Sequence, residues 1–278
     1  MSMPVRLHRK IRFAIGEDRS PDSSSDGSNG FAAVPPVRGW DRFFEFQVSC
    51  TGDPDPQSGY LLNIKAIDTA VRRLIVPRLS QACLSRTSSA ENLPEAILAH
   101  ALAQLAEALP ATIERVSLRL SPYYAVEMHT QPTNSPVATH PLLRLCFDFA
   151  AAHRLHVENW SEQKNRACFG KCNNPNGHGH NYKLEVAVQT SPTLAHPCDI
   201  QALEQIVTTH VIDRFDHTNL NLDTVEFGSE HGVIPSVENI ARVCFELLAD
   251  PVSTLGADIR LASVRVWETD RTSCEYPV

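Results

Sequence analysis

The sequence predicts an α+β protein of two tandem modules, each a four-stranded antiparallel sheet with two helices on one face. Three observations carry this. The order strand, strand, helix, helix, strand, strand runs twice through the 278 residues. The strand segments alternate apolar and polar residues with period two, as a sheet with one buried face requires. The helical segments repeat apolar residues at i, i+3 and i+4, which gives each an apolar stripe to lay on a sheet.

In the first half the strands are "IRFAIGED" (11–18) and "FFEFQVS" (43–49). The helices are "NIKAIDTAVRRLIV" and "SAENLPEAILAHALAQLAEAL", and the closing strands "RVSLRL" and "YYAVEMH". In the second half the matching strands are "FDFAAAHR" (147–154) and "KLEVAVQ" (183–189). The helices "DIQALEQIVTTHVIDRF" and "SVENIARVCFELLAD" follow, then "LASVRVWE" and "SCEYPV". Each second helix opens on a Ser-x-Glu-Asn phrase, at 89–92 and 236–239. Serine begins any helix well, because its hydroxyl caps free N–H groups. The phrase therefore counts as a sign of duplication only together with the repeated order of elements.

Two polar stretches frame the modules. Residues 17–39, rich in Ser, Pro, Asp and Gly, predict a long mobile loop, and residues 130–141 a linker. The expected organisation is a first module at 1–129 and a second at 142–278. The formal charge of -7 argues against a general nucleic-acid binder. No run of 18 apolar residues predicts a membrane span. The start "MSMPVRLHRKIRF" has no apolar core of a secretory signal, and the eight cysteines form no Cys-x-x-Cys pair. A cytoplasmic chain with free thiols is expected.

The chemistry gathers in "CFGKCNNPNGHGHNY", residues 168–182. On a strand, residues i and i+2 share a face, so His178 and His180 aim two imidazoles one way. Gly179 between them would admit another backbone or a ligand. A catalytic zinc usually takes three protein ligands, and the best third is His153 on the preceding strand. Paired strand histidines are also commonly just exposed or hydrogen-bonded. Cys172 has three open roles: fourth ligand, reactive base or nucleophile, and inert thiol. Lys171 and a metal nearby would lower its pKa. Cys168 is the weaker candidate. Asp216 beside His217 suggests a carboxylate orienting an imidazole, although a solvated helix end is the commoner fate of such a pair. Glu268 is a carboxylate on an otherwise apolar strand, where burial needs a partner.

Together "FDFAAAHRL", "FGKCNNPNGHGHNYKLEVAV", "FDHTNLNL", "SVENIA" and "VRVWETD" resemble the 6-pyruvoyltetrahydropterin synthase family over residues 143–276. The resemblance implies the tunnelling fold. It implies zinc on His153, His178 and His180, with Cys172 as catalytic thiol and Asp216–His217 as a second acid–base pair. It implies Glu268 as pterin anchor, with Ser236 and Glu238 at a pterin-contacting helix start. Val237 replaces that start's second hydroxyl. The implied substrate is 7,8-dihydroneopterin triphosphate, which zinc-assisted proton transfers would convert with loss of triphosphate. Five residues separate Cys172 from His178, which favours the pyruvoyl branch over the 6-carboxytetrahydropterin branch of the queuosine pathway. A non-catalytic pterin-binding regulatory protein is the other alternative; it has no need of Cys172, Asp216 and His217 together. The first half resembles a worn copy of the module. Glu17 stands where the second half has His153, and Ser80 and Gln81 where it has Asp216 and His217. Ser89, Glu91 and Glu127 resemble the ring anchors, so a ring could still bind there without metal. The family closes rings of modules, which implies a homo-oligomer, a trimer or dimer of two-module chains.

Overall fold

A computed structural model of the chain describes residues 4–17, 29–85, 89–130, 140–191, 198–228 and 232–278. The chain divides into two compact units: Met1–Leu143 with Thr190–Pro197, and Arg144–Gln189 with Cys198–Val278.

The first unit holds β1 (Val5–Ile15), β2 (Arg42–Gly52), β3 (Thr112–Ser121) and β4 (Tyr124–His129), paired in that order. Its helices are α1 (Ile64–Ala70), α2 (Val76–Leu84) and α3 (Pro94–Ala108). A π turn at Val71–Ile75 joins α1 to α2. Phe44, Phe46 and Val48 of β2 alternate onto the buried face, and Ile67, Leu98 and Leu105 of the helices are buried as well. Such alternation is what a sheet packed on one face and solvated on the other demands.

The second unit repeats the plan. Strand β5 (Pro141–His153) pairs β6 (His178–Gln189), and a helix expected by no periodicity, α4 (Glu162–Phe169), lies between them in sequence. Then come α5 (Ile200–Val207), a π turn at Thr208–Ile212 and α6 (Asp213–Phe215). The two-residue β7 (Thr218–Asn219) runs parallel to β5, and the one-turn α7 (Leu220–Asp223) follows. Helix α8 (Val237–Ser253), β8 (Arg260–Thr269) and β9 (Thr272–Tyr276) close the unit in the order β5-β6-β8-β9.

The repeat extends to register. Glu45 lies opposite Arg119 in the first unit, and Glu185 opposite Arg265 in the second. Each unit also has a π turn at the same place in its first helical run, and such turns are rare.

The two helix starts differ. Ser236 caps α8, accepting from the Asn239 N–H at 3.4 Å. Ser89 makes no cap bond: Ala90–Asn92 form a 3₁₀ turn, and α3 begins afterwards on Pro94. Proline at the first helical position needs no donor, so this start does without a serine cap.

Within the stretch expected as a mobile loop, residues 18–28 lie outside the described residues. Residues 29–37 are tied to β1 and the first helical run. Ala14 N–H donates to Pro35 O and Val34 N–H to Arg12 O, each at 3.0 Å, and the Arg72 guanidinium reaches Val34 O and Asn29 Oδ1. Of the expected linker, 131–139 lie outside the described residues, and Pro141 already belongs to β5.

Candidate metal and acid–base site

Strand β5 ends at His153, which is fully buried. The chain returns through a turn in which Gly177 N–H donates to Asn174 O at 2.8 Å. Gly177 adopts φ +68°, and a Cβ there would meet His153 O at 3.0 Å. Glycine alone fits both the conformation and the close approach. Strand β6 then starts with His178 and His180 facing His153. Gly179, expected to permit the close approach, is the lesser one: its Cβ would meet Ala151 O at an ordinary 3.6 Å.

The three imidazoles form one cluster, with ligating atoms all within 4.8 Å of one another. Nε2 of His153 lies 3.2 Å from Nε2 of His178. The other nitrogen of His153, Nδ1, donates to Pro235 O at 2.7 Å, leaving Nε2 for the cluster. Nδ1 of His178 and Nε2 of His180 are buried with no hydrogen-bond partner. Burial holds His153 down to about 4, helped by His178 and His180 and opposed by the Pro235 bond. Burial and His180 likewise lower His178. Converging imidazoles with orphaned nitrogens are the donor set that a zinc-type cation needs.

Glu268 on β8 sits beside this cluster, with Oε1 3.4 Å from His153 Nε2 and 3.6 Å from His180 Nε2. Cys172 lies on the 3₁₀ turn Gly170–Asn173, and its carbonyl accepts from Leu155 N–H at 2.9 Å. Its thiol is held up, by burial first and by the Glu268 charge second. The lowering expected from a metal together with Lys171 would have to overcome both burial and the Glu268 charge. Cys168 is exposed.

Asp216 and His217 form the pair read from the sequence, with Oδ2 and Nδ1 2.8 Å apart. Asp216 Oδ1 also accepts from the Ala150 N–H at 2.7 Å, and that bond, followed by His217, lowers its pKa. His217 takes φ +58°, uncommon for a residue with a side chain, and its N–H donates to Ala150 O at 2.6 Å. Its imidazole is 84% exposed and lines, with His180, Gly179 and Ala150–Ala152, an open cleft. These two bonds tie the pair's backbone and the Asp216 carboxylate to β5, while the His217 imidazole itself stays in solvent.

Ser236 caps α8, directly after the Pro235 carbonyl that orients His153. Val237 turns into the core. Glu238 is exposed and its charge bears on Cys274; no hydrogen bond or ion pair joins it to the histidines among the described residues.

The sequence reading missed three positioning side chains. Asn221 pairs with both backbone groups of Arg154, accepting from N–H at 2.7 Å and donating to the carbonyl at 3.1 Å. Asn173, buried beside Cys172, donates to Leu155 O at 2.7 Å. Buried Asn165 binds the N–H and C=O of Val157. Their signal was the density of asparagines around the histidines, a residue that closes backbone turns with its own amide.

The first unit has a cleft at the equivalent strand ends, lined by Gly16, Glu17, Arg38, Trp40, Arg42 and Cys83 among others. Counting back from the matched Glu45 and Glu185, Arg38, Trp40 and Arg42 correspond in sequence to His178, His180 and Tyr182, although β2 begins only at Arg42 whereas β6 begins at His178. Glu127 is not the counterpart of Glu268. It lies on β4 opposite Ser117, with Arg115 and His129 each 3.5 Å from its carboxylate. Glu268 lies on β8, three residues past Arg265; three past Arg119 is Pro122, because the second unit's last hairpin is longer before its turn.

Fold and cluster define a two-unit α+β chain with a three-histidine candidate metal centre in its second unit. The profile of the 6-pyruvoyl tetrahydropterin synthase family matches residues 143–277. The chain is 35% identical over 130 residues to human 6-pyruvoyl tetrahydrobiopterin synthase, covering 46% of this chain and 85% of the relative. It is 38% identical to the putative Caenorhabditis elegans protein of the same name, again over 46% of this chain and 88% of the relative. It is 29% identical to the 6-carboxy-5,6,7,8-tetrahydropterin synthase of Haemophilus influenzae, over 38% of this chain and 84% of the relative. The chain belongs to the 6-pyruvoyl tetrahydropterin synthase family. None of its eight cysteines is in a disulfide, and no described helix is long and apolar enough to cross a membrane.

Proposed function

We propose that the second unit is a zinc-dependent lyase that converts 7,8-dihydroneopterin triphosphate to 6-pyruvoyltetrahydropterin with loss of triphosphate. The observation that carries the reading is the cluster of buried His153 with half-buried His178 and His180, whose orphaned nitrogens lie near Glu268. His153, His178 and His180 would hold zinc, which when bound supplies Lewis acidity to the substrate's side-chain oxygens.

The chain's own groups supply the rest. Glu268 accepts N–H bonds from the pterin edge. Cys172, once the Glu268 charge is engaged and a cation is near, is the thiolate that takes a carbon-bound proton. His217, held by Asp216, returns a proton from the cleft it shares with His180. Ser236 contributes mainly through the cap that sets Pro235 against His153. Glu238 is retained as a ring contact only in an assembly, since in the single chain it is turned to solvent.

A homo-oligomer belongs to the same proposal, supported by the exposure of the His217 imidazole in the isolated chain. A cytoplasmic location rests on the eight cysteines, none of them in a disulfide. The carboxy branch remains the second reading, favoured by the Haemophilus relative. The test is incubation of the zinc-loaded chain with 7,8-dihydroneopterin triphosphate and identification of the product by mass. The pyruvoyl product supports the proposal; the carboxy product with a two-carbon aldehyde moves the chain to the other branch; no product sinks both.

A further inference from the structure

Tyr182 is fully buried two residues past His180, on the same face of β6. Its ring stacks on Phe149 at 4.9 Å and meets His180 edge-on at 5.6 Å and His153 at 6.1 Å. Its hydroxyl lies 3.4 Å from Nδ1 of His153, the nitrogen that donates to Pro235 O. Packing alone explains the ring and not the hydroxyl, because phenylalanine would fill the same space without a buried polar atom. Among the described residues the hydroxyl's hydrogen-bond neighbour is His153, whose Nδ1–H it shares as a second acceptor with Pro235 O. The first unit has Arg42 at this position, where Arg38 and Trp40 replace the imidazoles, so there tyrosine and histidines are absent together.

We infer that Tyr182 is a positioning residue for the metal centre: its hydroxyl and Pro235 O together fix the His153 ring with Nδ1 turned away and Nε2 toward the cation, while its ring edge steadies His180. Partners of this outer kind typically change metal affinity about 10–100-fold when removed. The inference rests on the zinc reading proposed above.

The test is zinc affinity of Tyr182→Phe, measured by competition with a chromophoric chelator. The thermal midpoint of the metal-free protein serves as the control for packing. The substitution keeps the ring and its stacking on Phe149. The expected result is an affinity lower by about tenfold or more, with the metal-free midpoint essentially unchanged. Equal affinity in wild type and Tyr182→Phe overturns the inference and leaves the zinc reading standing. An affinity loss matched by collapse of the metal-free midpoint also overturns it, since the hydroxyl would then act on the fold. Wild-type protein that takes up no zinc overturns the zinc reading and this inference with it.

Discussion

Nδ1 of His153 donates to the carbonyl oxygen of Pro235 at 2.7 Å, which ties the end of β5 to the residue just before the α8 cap. The bond fixes the tautomer and aims Nε2 at His178 and His180. One zinc per chain is therefore expected, with three imidazole bonds of roughly 2.0–2.1 Å. Elemental analysis and X-ray absorption check this. Two zinc atoms per chain, or a sulfur neighbour from Cys172, would count against it. Removing the metal with a chelator should lower the thermal midpoint, since a ligand at a hundred times its Kd contributes about 2.7 kcal/mol to stability.

The metal-free protein should lose stability on mild acidification because of His153. Burial, with the neighbouring imidazoles, holds it near 4 in the fold, against about 6.5 in an unfolded chain. Between those values the unfolded state binds the extra proton. The neutral-form preference is thus fully present above pH about 6.5 and is lost progressively as pH falls toward 4, amounting to something on the order of 3 kcal/mol. Denaturant midpoints of the metal-free protein from pH 7 to 4, compared with those of His153→Asn, measure it. A wild-type curve as flat as the variant's would refute the assignment.

Asp216 has two jobs, an anchor to β5 and a partner to His217. Asp216→Asn should keep the Ala150 N–H bond and most of the stability, while the His217 ring loses its charged orienting group. Asp216→Ala should lose both and cost about 1–3 kcal/mol for the unsatisfied Ala150 N–H. Comparing unfolding midpoints and turnover of the two variants separates the jobs; equal loss of stability in both would show that the anchor is not the Ala150 bond. The wild-type carboxyl, lowered by that bond and by His217, should titrate below the ordinary aspartate range by NMR. Its contribution to stability is present above the unfolded value and is lost as pH falls through the folded one.

Much of this was legible in the sequence because it was local. Period-two alternation marked β2 and β6, and the i, i+2 rule put His178 and His180 on one face. What stayed hidden was set by partners distant in sequence. Helix α4 has no apolar stripe; it is begun by the Ser161 cap and braced by Asn165. The Ser-x-Glu-Asn phrases look alike, yet only Ser236 caps, because Pro94 moves the first unit's helix start onward. Glu127 looked like an anchor by its place near the end of a closing strand. The register, which no single segment reveals, puts it on the other strand of the hairpin.

The central claim is that metal and base are separate parts of one site, with the histidines holding zinc and Cys172 moving a proton. The most direct measurement is triphosphate release from 7,8-dihydroneopterin triphosphate by wild type and Cys172→Ala, with zinc content determined on the same samples. The account predicts equal zinc in both and release slowed by about 10²–10⁴-fold in the variant, the usual loss when an acid–base group is removed. A Cys172→Ala protein that releases triphosphate at the wild-type rate, or that has lost its zinc, would contradict it.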